Sequence, residues 1–258
     1  PMLRQYLDIK KLYPGTILFF RLGDFYEMFN EDAVLASREL EITLTARQKD
    51  SPNPIPMGGV PDHAASNYIA RLVRRGYRVA ICDQTEEAGK GVKLVKREVV
   101  RVITPGTAID PQLVESKETV YLAAVCGRGD TYAAAFLELS AGQFSVTQSV
   151  SSDAWQKICD EVASFAPREI IFPTAMATEV SASLGAESDN SLFSDERSRP
   201  AGGSQVAMTP VDDREFDLSA CERLLKEQSG VKELTGYGLS ERNEAIRAAG
   251  ACLKYARD

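Results

Sequence analysis

Histidine is almost missing from this chain, with His63 its single example. A cluster of imidazole metal ligands is thereby excluded, and a Ser-His-Asp or Cys-His catalytic unit would have to run through that one ring. The five cysteines, Cys82, Cys126, Cys159, Cys221 and Cys252, lie far apart and form no C-x-x-C pair, which argues against a disulfide framework and a zinc site. They read as buried thiols. No stretch approaches the roughly 18 apolar residues of a membrane span, and no charged-then-apolar leader opens the chain. The expectation is a soluble, cytoplasmic protein with no membrane partner. A phosphate-cradling G-x-x-x-x-G-K-[ST] loop is missing as well, because Gly89-Lys90 is followed by Gly91 and preceded at the required distance by Gln84. No nucleotide or other cofactor is expected to bind this chain, and no internal repeat is visible.

What is present is enough apolar material for a real core: 258 residues, 44% of them hydrophobic, at roughly 100 to 200 residues per domain. Two domains are expected. The net charge of -7 hides an asymmetry: up to Lys117 the chain holds 17 Lys+Arg against 15 Asp+Glu, and after it 13 against 22, so the first half carries +2 and the second -9. The first half is the better candidate to face a phosphate backbone.

Local patterns predict a helix over Leu3 to Leu12, then strands Thr16 to Leu22 and Phe25 to Phe29 joined at Gly23-Asp24 as a hairpin. Asn30 is expected to cap a helix through Leu40, with a strand at Ile42 to Thr45. Lys49 to Pro61 reads as a loop, because Pro52, Pro54, Pro56 and Gly58-Gly59 punctuate it. Asp62 should cap the next helix and Gly76 end it, with strands at Tyr77 to Cys82 and Lys93 to Thr104. Asp110 to Glu118 is the candidate linker. Beyond it, Thr119 to Cys126, Thr131 to Ser140 and Gln143 to Ser149 form an antiparallel meander, and the Arg128-Gly129-Asp130 tripeptide is a hairpin turn rather than an adhesion motif. A helix over Asp153 to Phe165 and a strand over Glu169 to Phe172 follow. Loops and partial disorder are expected from Thr174 to Glu215, most of all at Arg199 to Ser204. One helix then runs from a cap at Asp217 to Gly230, and another from Ser240 to the end. No stop signal precedes Asp258, so the chain is expected to be a piece of a longer protein.

Gly23 to Phe29 is the most informative run. Strand alternation puts Phe25, Glu27 and Phe29 on one face and Tyr26 and Met28 on the other. An aromatic ring at a strand tip can enter a minor groove and stack on a base, which is worth roughly 1 to 3 kcal/mol per base. Entry unstacks a base step, and this costs less where a mispair has already loosened the stack. A carboxylate at Glu27 is repelled by phosphates, whereas a neutral acid can donate a hydrogen bond to a base; phosphate charge and partial burial would both raise its pKa. The alternative is that Phe25 and Phe29 are core and Glu27 a solvated charge, and spacing alone does not decide between the two.

Gly23 to Phe29, Pro56 to His63 and Arg101 to Thr107 together resemble the amino-terminal domain of bacterial MutS proteins, three motifs in the right order. In that family an F-x-E element carries the intercalating Phe and the hydrogen-bonding Glu, which the resemblance places on Phe25 and Glu27. Met28 stands where Leu is common, and Asp62 where Tyr is common. Tyr132 to Phe144 and Phe216 to Leu253 are similar to the MutS connector, while 174 to 215 has no clear counterpart. The resemblance implies an α/β protein: a mixed-sheet mismatch-binding domain over residues 1–112 (domain I), then an RNase H-like connector over 113–258 (domain II) with a flexible segment at 174–215. It also implies binding of mismatched or looped double-stranded DNA in mismatch repair. The connector would couple to MutL, and to the clamp and ATPase parts of a homodimeric full-length parent that uses ATP and Mg.

Arg71, Arg74, Arg75 and Arg78 flank Gly76, and Lys90, Lys93, Lys96, Arg97 and Arg101 line a second basic stretch. Arg71, Arg97 and Arg101 are taken as backbone-contact candidates, and Met57 and Asn67 as groove-side ones. A solvated face or pairing with Glu86 and Glu87 is the alternative for each. A helix-start role bonding backbone suits His63 better than DNA contact. A metal nuclease in the second domain would need several converging acids, yet Glu138 is the only acid in its first two strands and Thr119 to Val125 has none. A purely structural interaction piece is the third reading.

Overall fold

Gly23, in the left-handed region at φ 59, turns β1 (Thr16–Leu22) back into β2 (Phe25–Phe29) through a two-residue loop, with Leu22 opposite Phe25. This hairpin is the centre of the first of two compact units, residues 1–118 and 119–258, in a computed structural model that describes residues 2–47, 53–85, 95–108, 119–185 and 206–257. The expected linker Asp110 to Glu118 and the tract Arg199 to Ser204 lie outside the described residues.

The first unit is a six-stranded mixed sheet in the order β3-β4-β2-β1-β5-β6, adding β3 (Thr45–Arg47), β4 (Ile55–Pro61), β5 (Arg78–Gln84) and β6 (Arg97–Ile103). Helices α2 (Asn30–Leu40) and α3 (Ala65–Arg74) bury one face over Ile17, Phe19, Tyr26, Met28 and Val79. Helix α1 (Met2–Leu12) covers the other through Tyr6, against Leu18, Phe20 and Phe29. A buried carboxylate ties these layers together: Asp32 accepts from the Tyr6 hydroxyl at 2.7 Å, Lys10 at 2.7 Å and the Leu18 amide at 3.0 Å. Gly76 ends α3 as expected, donating to Val73 at 3.0 Å while the next amide, Tyr77, reaches Leu72 at 3.1 Å.

Four local expectations are corrected here. Asn30 is not the cap: extended Phe29 occupies that position and Asn30 opens the helix at φ 53, a conformation Asn tolerates. Asp62 does not cap α3 either; it sits in a 3-10 turn over Asp62–Ala64 that precedes the helix. The supposed loop Lys49 to Pro61 contains β4, an interior strand paired with both β2 and β3. Its glycines sit where neighbours approach closely: a Cβ on Gly58 would lie 3.0 Å from Ser37 Oγ of α2 and one on Gly59 3.3 Å from the Tyr26 carbonyl. The preceding strand, expected at Ile42 to Thr45, is displaced to Thr45–Arg47 by pairing with β4.

The second unit has the sheet order β11-β10-β7-β8-β9. The expected meander is β7 (Tyr121–Arg128), β8 (Thr131–Glu138) and β9 (Gln143–Val150), antiparallel throughout, with Arg128 opposite Thr131 across the Gly129-Asp130 turn. Strands β10 (Glu169–Pro173) and β11 (Ala207–Val211) run parallel to β7, an arrangement consistent with an RNase H-like fold. Aromatic contacts dock α4 (Ala154–Phe165) on one face, where Phe136 stacks on Phe165 at 4.0 Å. The other face is small: Ala124, Cys126, Ala133 and Ala135 meet Ala248, Ala249 and Cys252 of α7 (Asn243–Arg257). Helix α6 (Leu218–Ser229) is capped by Asp217, whose side chain accepts from Ala220 at 2.9 Å, and closed by Gly230 at φ 65, as the sequence predicts. Loops were expected throughout 174–215, but α5 (Ala177–Leu184) and β11 are regular there because each packs on or pairs with β10. All five cysteines are buried, and burial pushes their thiols up, Cys82 to about 12 and Cys159 and Cys221 to about 11. Among the described residues no helix is long and apolar enough to cross a membrane.

Candidate nucleic-acid interface

Strand β2 delivers the F-x-E pair. Alternation buries Tyr26 and Met28 under α2 and α3 and turns Phe25, Glu27 and Phe29 toward the face that carries α1. Coverage by α1 is incomplete along that row. Phe29 is sealed by an edge-on Tyr6 ring at 5.0 Å, whereas Phe25, beside the hairpin turn, keeps 48% of its surface exposed. The ring is neither core nor isolated, because Leu22 and Pro61 flank it in register on the neighbouring strands.

Glu27 lies between Phe20 of β1 and Gly59 of β4. A Cβ on Gly59 would stand 3.5 Å from Glu27 Cγ, in ordinary van der Waals contact, so the glutamate stem lies directly over this glycine. Partial burial raises the Glu27 carboxyl above its ordinary value, and the positive charge of Arg47 on the edge strand opposes this. The neutral acid, a hydrogen-bond donor, is thus favoured more than in water.

The remaining expected site residues are distributed unevenly. Met57 pairs with Phe29 and shares the Phe25 face, partly buried against the α1 layer. Asn67 is exposed on α3, and Arg71 on the same helix donates to the Leu40 carbonyl at 3.1 Å and lies 3.9 Å from Glu41. Arg101 is exposed on β6 opposite Ile81, which packs into the α2 and α3 layer. The sheet therefore gathers Phe25, Glu27 and Met57 and sets Asn67, Arg71 and Arg101 on its other side.

Arg97 is a correction. It is only 7% exposed, lies 5.0 Å over the Phe20 ring, and donates to the carbonyls of Arg21 at 2.7 Å and Val95 at 3.0 Å and to Gln5 Oε1 at 3.1 Å. Three of the five N–H donors of this guanidinium are spent on internal acceptors, and its burial over Phe20 makes the residue part of the fold rather than a phosphate contact. Arg75 pairs with Glu39 at 2.8 Å and Lys96 with Glu98 at 2.6 Å, while Lys90, Lys93, Glu86 and Glu87 lie outside the described residues. His63 is exposed in the 3-10 turn.

Sequence reasoning missed Arg47 and Arg21. Arg47 was placed beyond the end of its strand; extending the strand by two residues would have put it on the Glu27 face. Arg21 pairs with Tyr26 across the hairpin and forms an ion pair with Asp62, so this departure from the family pattern is engaged beside the hairpin turn, with Arg21 on the face of β1 away from Phe25.

Two family matches coincide with the two units: MutS domain I over residues 1–112 and MutS domain II over residues 120–258. The chain belongs to the MutS family. Its relatives include proteins named DNA mismatch repair protein MutS from Solibacter usitatus, 44% identical over 100% of this chain and 27% of the relative, and from Symbiobacterium thermophilum, 41% identical over 99% and 28%. Another of the same name, from Methanococcoides burtonii, is 38% identical over 99% of this chain and 27% of its own length. The chain spans about a quarter of the length of the curated MutS relatives it matches. In this MutS chain Glu138, the acid a metal nuclease would need, is committed to the β8–β9 turn: the Ser140 hydroxyl and the Ser140 and Ala141 amides bind it and hold its carboxyl below the usual range. Among the described residues no group of three or more His, Cys, Asp or Glu is placed to hold a metal ion.

Proposed function

We propose that the first unit binds mismatched or looped double-stranded DNA as the recognition part of a longer mismatch-repair protein. Phe25 wedges from the minor groove into a stack already loosened by a mispair, and Glu27, protonated, donates a hydrogen bond to the displaced base. In paired DNA the same entry has to break an intact stack, and an ionised Glu27 faces phosphate repulsion, so selectivity comes partly from penalising ordinary duplex. The observation that carries this reading is the exposure of Phe25 in a strand whose other aromatic side chains are buried, with a partly buried carboxyl two residues on. The second unit serves as the connector to the clamp and ATPase parts of the longer protein and to MutL, and the chain itself acts by binding, without a catalytic step of its own.

Fluorescence anisotropy on a G·T duplex and its paired counterpart, at one stated salt concentration, tests this. Phe25→Ala should abolish the preference for the mispair. Glu27→Ala should narrow the gap by strengthening binding to paired duplex. Retained preference in the Phe25 variant would overturn the reading.

A further inference from the structure

An exposed ring can act as a wedge only if its backbone does not yield when the ring pushes on a base stack, and the hairpin that carries Phe25 is held from the reverse side of the sheet. Arg21, opposite Tyr26 in the β1–β2 register, lies 5.2 Å over the Tyr26 ring. Its Nε donates to the Gly23 carbonyl at 2.5 Å, at the turn itself, and its Nη1 forms an ion pair with Asp62. The Asp62 amide in turn donates to the Asp24 carbonyl at 2.9 Å, so the turn is gripped at two successive carbonyls. The Tyr26 hydroxyl completes the set by donating to Asp83 of β5 at 2.7 Å, which ties the hairpin across β1 to the next strand. None of these four side chains shares the Phe25 face.

We infer that Arg21 is a positioning residue for DNA recognition, clamping the turn through Gly23 and Asp62 so that Phe25 enters a base stack as a rigid wedge. The inference rests on the proposed role of Phe25. A fork-shaped guanidinium suits this task because it meets a carbonyl and a carboxylate at once while its plane lies on a ring; a lysine supplies charge without that geometry. Loosening the turn spreads the ring over several positions, and a stacking interaction averaged over them loses part of its strength. Paired duplex, which the ring does not enter, is unaffected.

The test compares Arg21→Lys, Asp62→Asn and Asp62→Glu with the unaltered chain, reading the ratio of mispaired to paired affinity by anisotropy. Nonspecific phosphate attraction cancels in that ratio. Arg21→Lys and Asp62→Asn should lower it roughly three- to tenfold, a fraction of what base stacking contributes, with paired-duplex binding and thermal unfolding unchanged. Asp62→Glu, which keeps the carboxylate, should restore most of it. In chain labelled with 4-fluorophenylalanine, the ¹⁹F line that vanishes in Phe25→Tyr should broaden or split in the two loosening variants and stay sharp in Asp62→Glu. If Phe25→Ala destroys selectivity while Arg21→Lys and Asp62→Asn keep both the ratio and the ¹⁹F line, the clamp is wrong and the DNA reading stands. If Phe25→Ala leaves selectivity intact, both fall.

Discussion

The two units cover their sheets differently. In the second, β7 and β8 are buried along almost their whole length, aromatic rings of α4 closing one face and small residues of α7 the other. In the first, α2 and α3 close one face, but α1 stops short on the other and leaves Phe25 in the open and Glu27 half covered. A sheet face closed by small residues admits a helix at close range, as α7 lies on β7 and β8. A face that runs out of helix at its hairpin end offers a large ring and a titratable acid to a partner. The difference follows from composition, Ala123, Ala124, Ala133, Ala134 and Ala135 in one sheet against Phe19, Phe20, Phe25 and Phe29 in the other.

Disturbing the closed face should have the largest effect on stability. A Cβ on Gly250 of α7 would stand 2.3 Å from Cys221 Cβ of α6, so Gly250→Ala forces the helices apart and should cost about 3 kcal/mol in urea unfolding. An unchanged midpoint would show that the contact is soft.

Arg97→Ala comes next, since it removes three hydrogen bonds made by a largely buried guanidinium over the Phe20 ring. We expect a loss of about 2 kcal/mol in the first unit. Mispair preference should suffer only as far as the fold does; a loss of binding with full stability would return Arg97 to the interface.

Phe25→Ala sharpens the contrast from the other side. A ring half in solvent contributes little to folding, so the unfolding midpoint should move by no more than about 0.5 kcal/mol while mispair preference disappears. A destabilisation like that of a core phenylalanine would mean the ring is structural.

The smallest effect concerns Glu27. Its carboxyl is raised in the folded chain, chiefly by burial, so the neutral form is favoured there and ionisation on going to neutral pH costs stability. Glu27→Gln should therefore melt slightly higher than the unaltered chain at pH 7. The gap should close below about pH 4, where the carboxyl is protonated in folded and unfolded states alike. A lower melting temperature for the variant at pH 7 would reverse the sign and place the ionised form in a favourable setting.

Much of this was legible in residue order. The Gly23-Asp24 hairpin, the antiparallel meander, and the Asp217 and Gly230 ends of α6 depend on hydrogen bonds made within a few residues, so turn and cap chemistry reports them directly. The F-x-E pair was legible as alternation plus family resemblance, but not as a site. Residues 49–61 misled because two glycines and four prolines look like loop punctuation; only the tertiary structure shows α2 and the Tyr26 backbone closing on β4 at 58 and 59. Arg97 misled because a run of cations looks like a solvated face until one of them is found lying on Phe20.

The sequence by itself determined which side of β2 each residue takes, since alternation is a property of the pleat and needs no partner. It also determined where the chain turns. Only the tertiary structure decided that Phe29 is sealed while Phe25 stays open, that the Glu27 stem lies over Gly59, and that Arg97 faces inward. The physical reason is range: pleat and turn are set by neighbours in the chain, whereas exposure and proton affinity depend on how far a helix formed from distant residues happens to reach across the sheet.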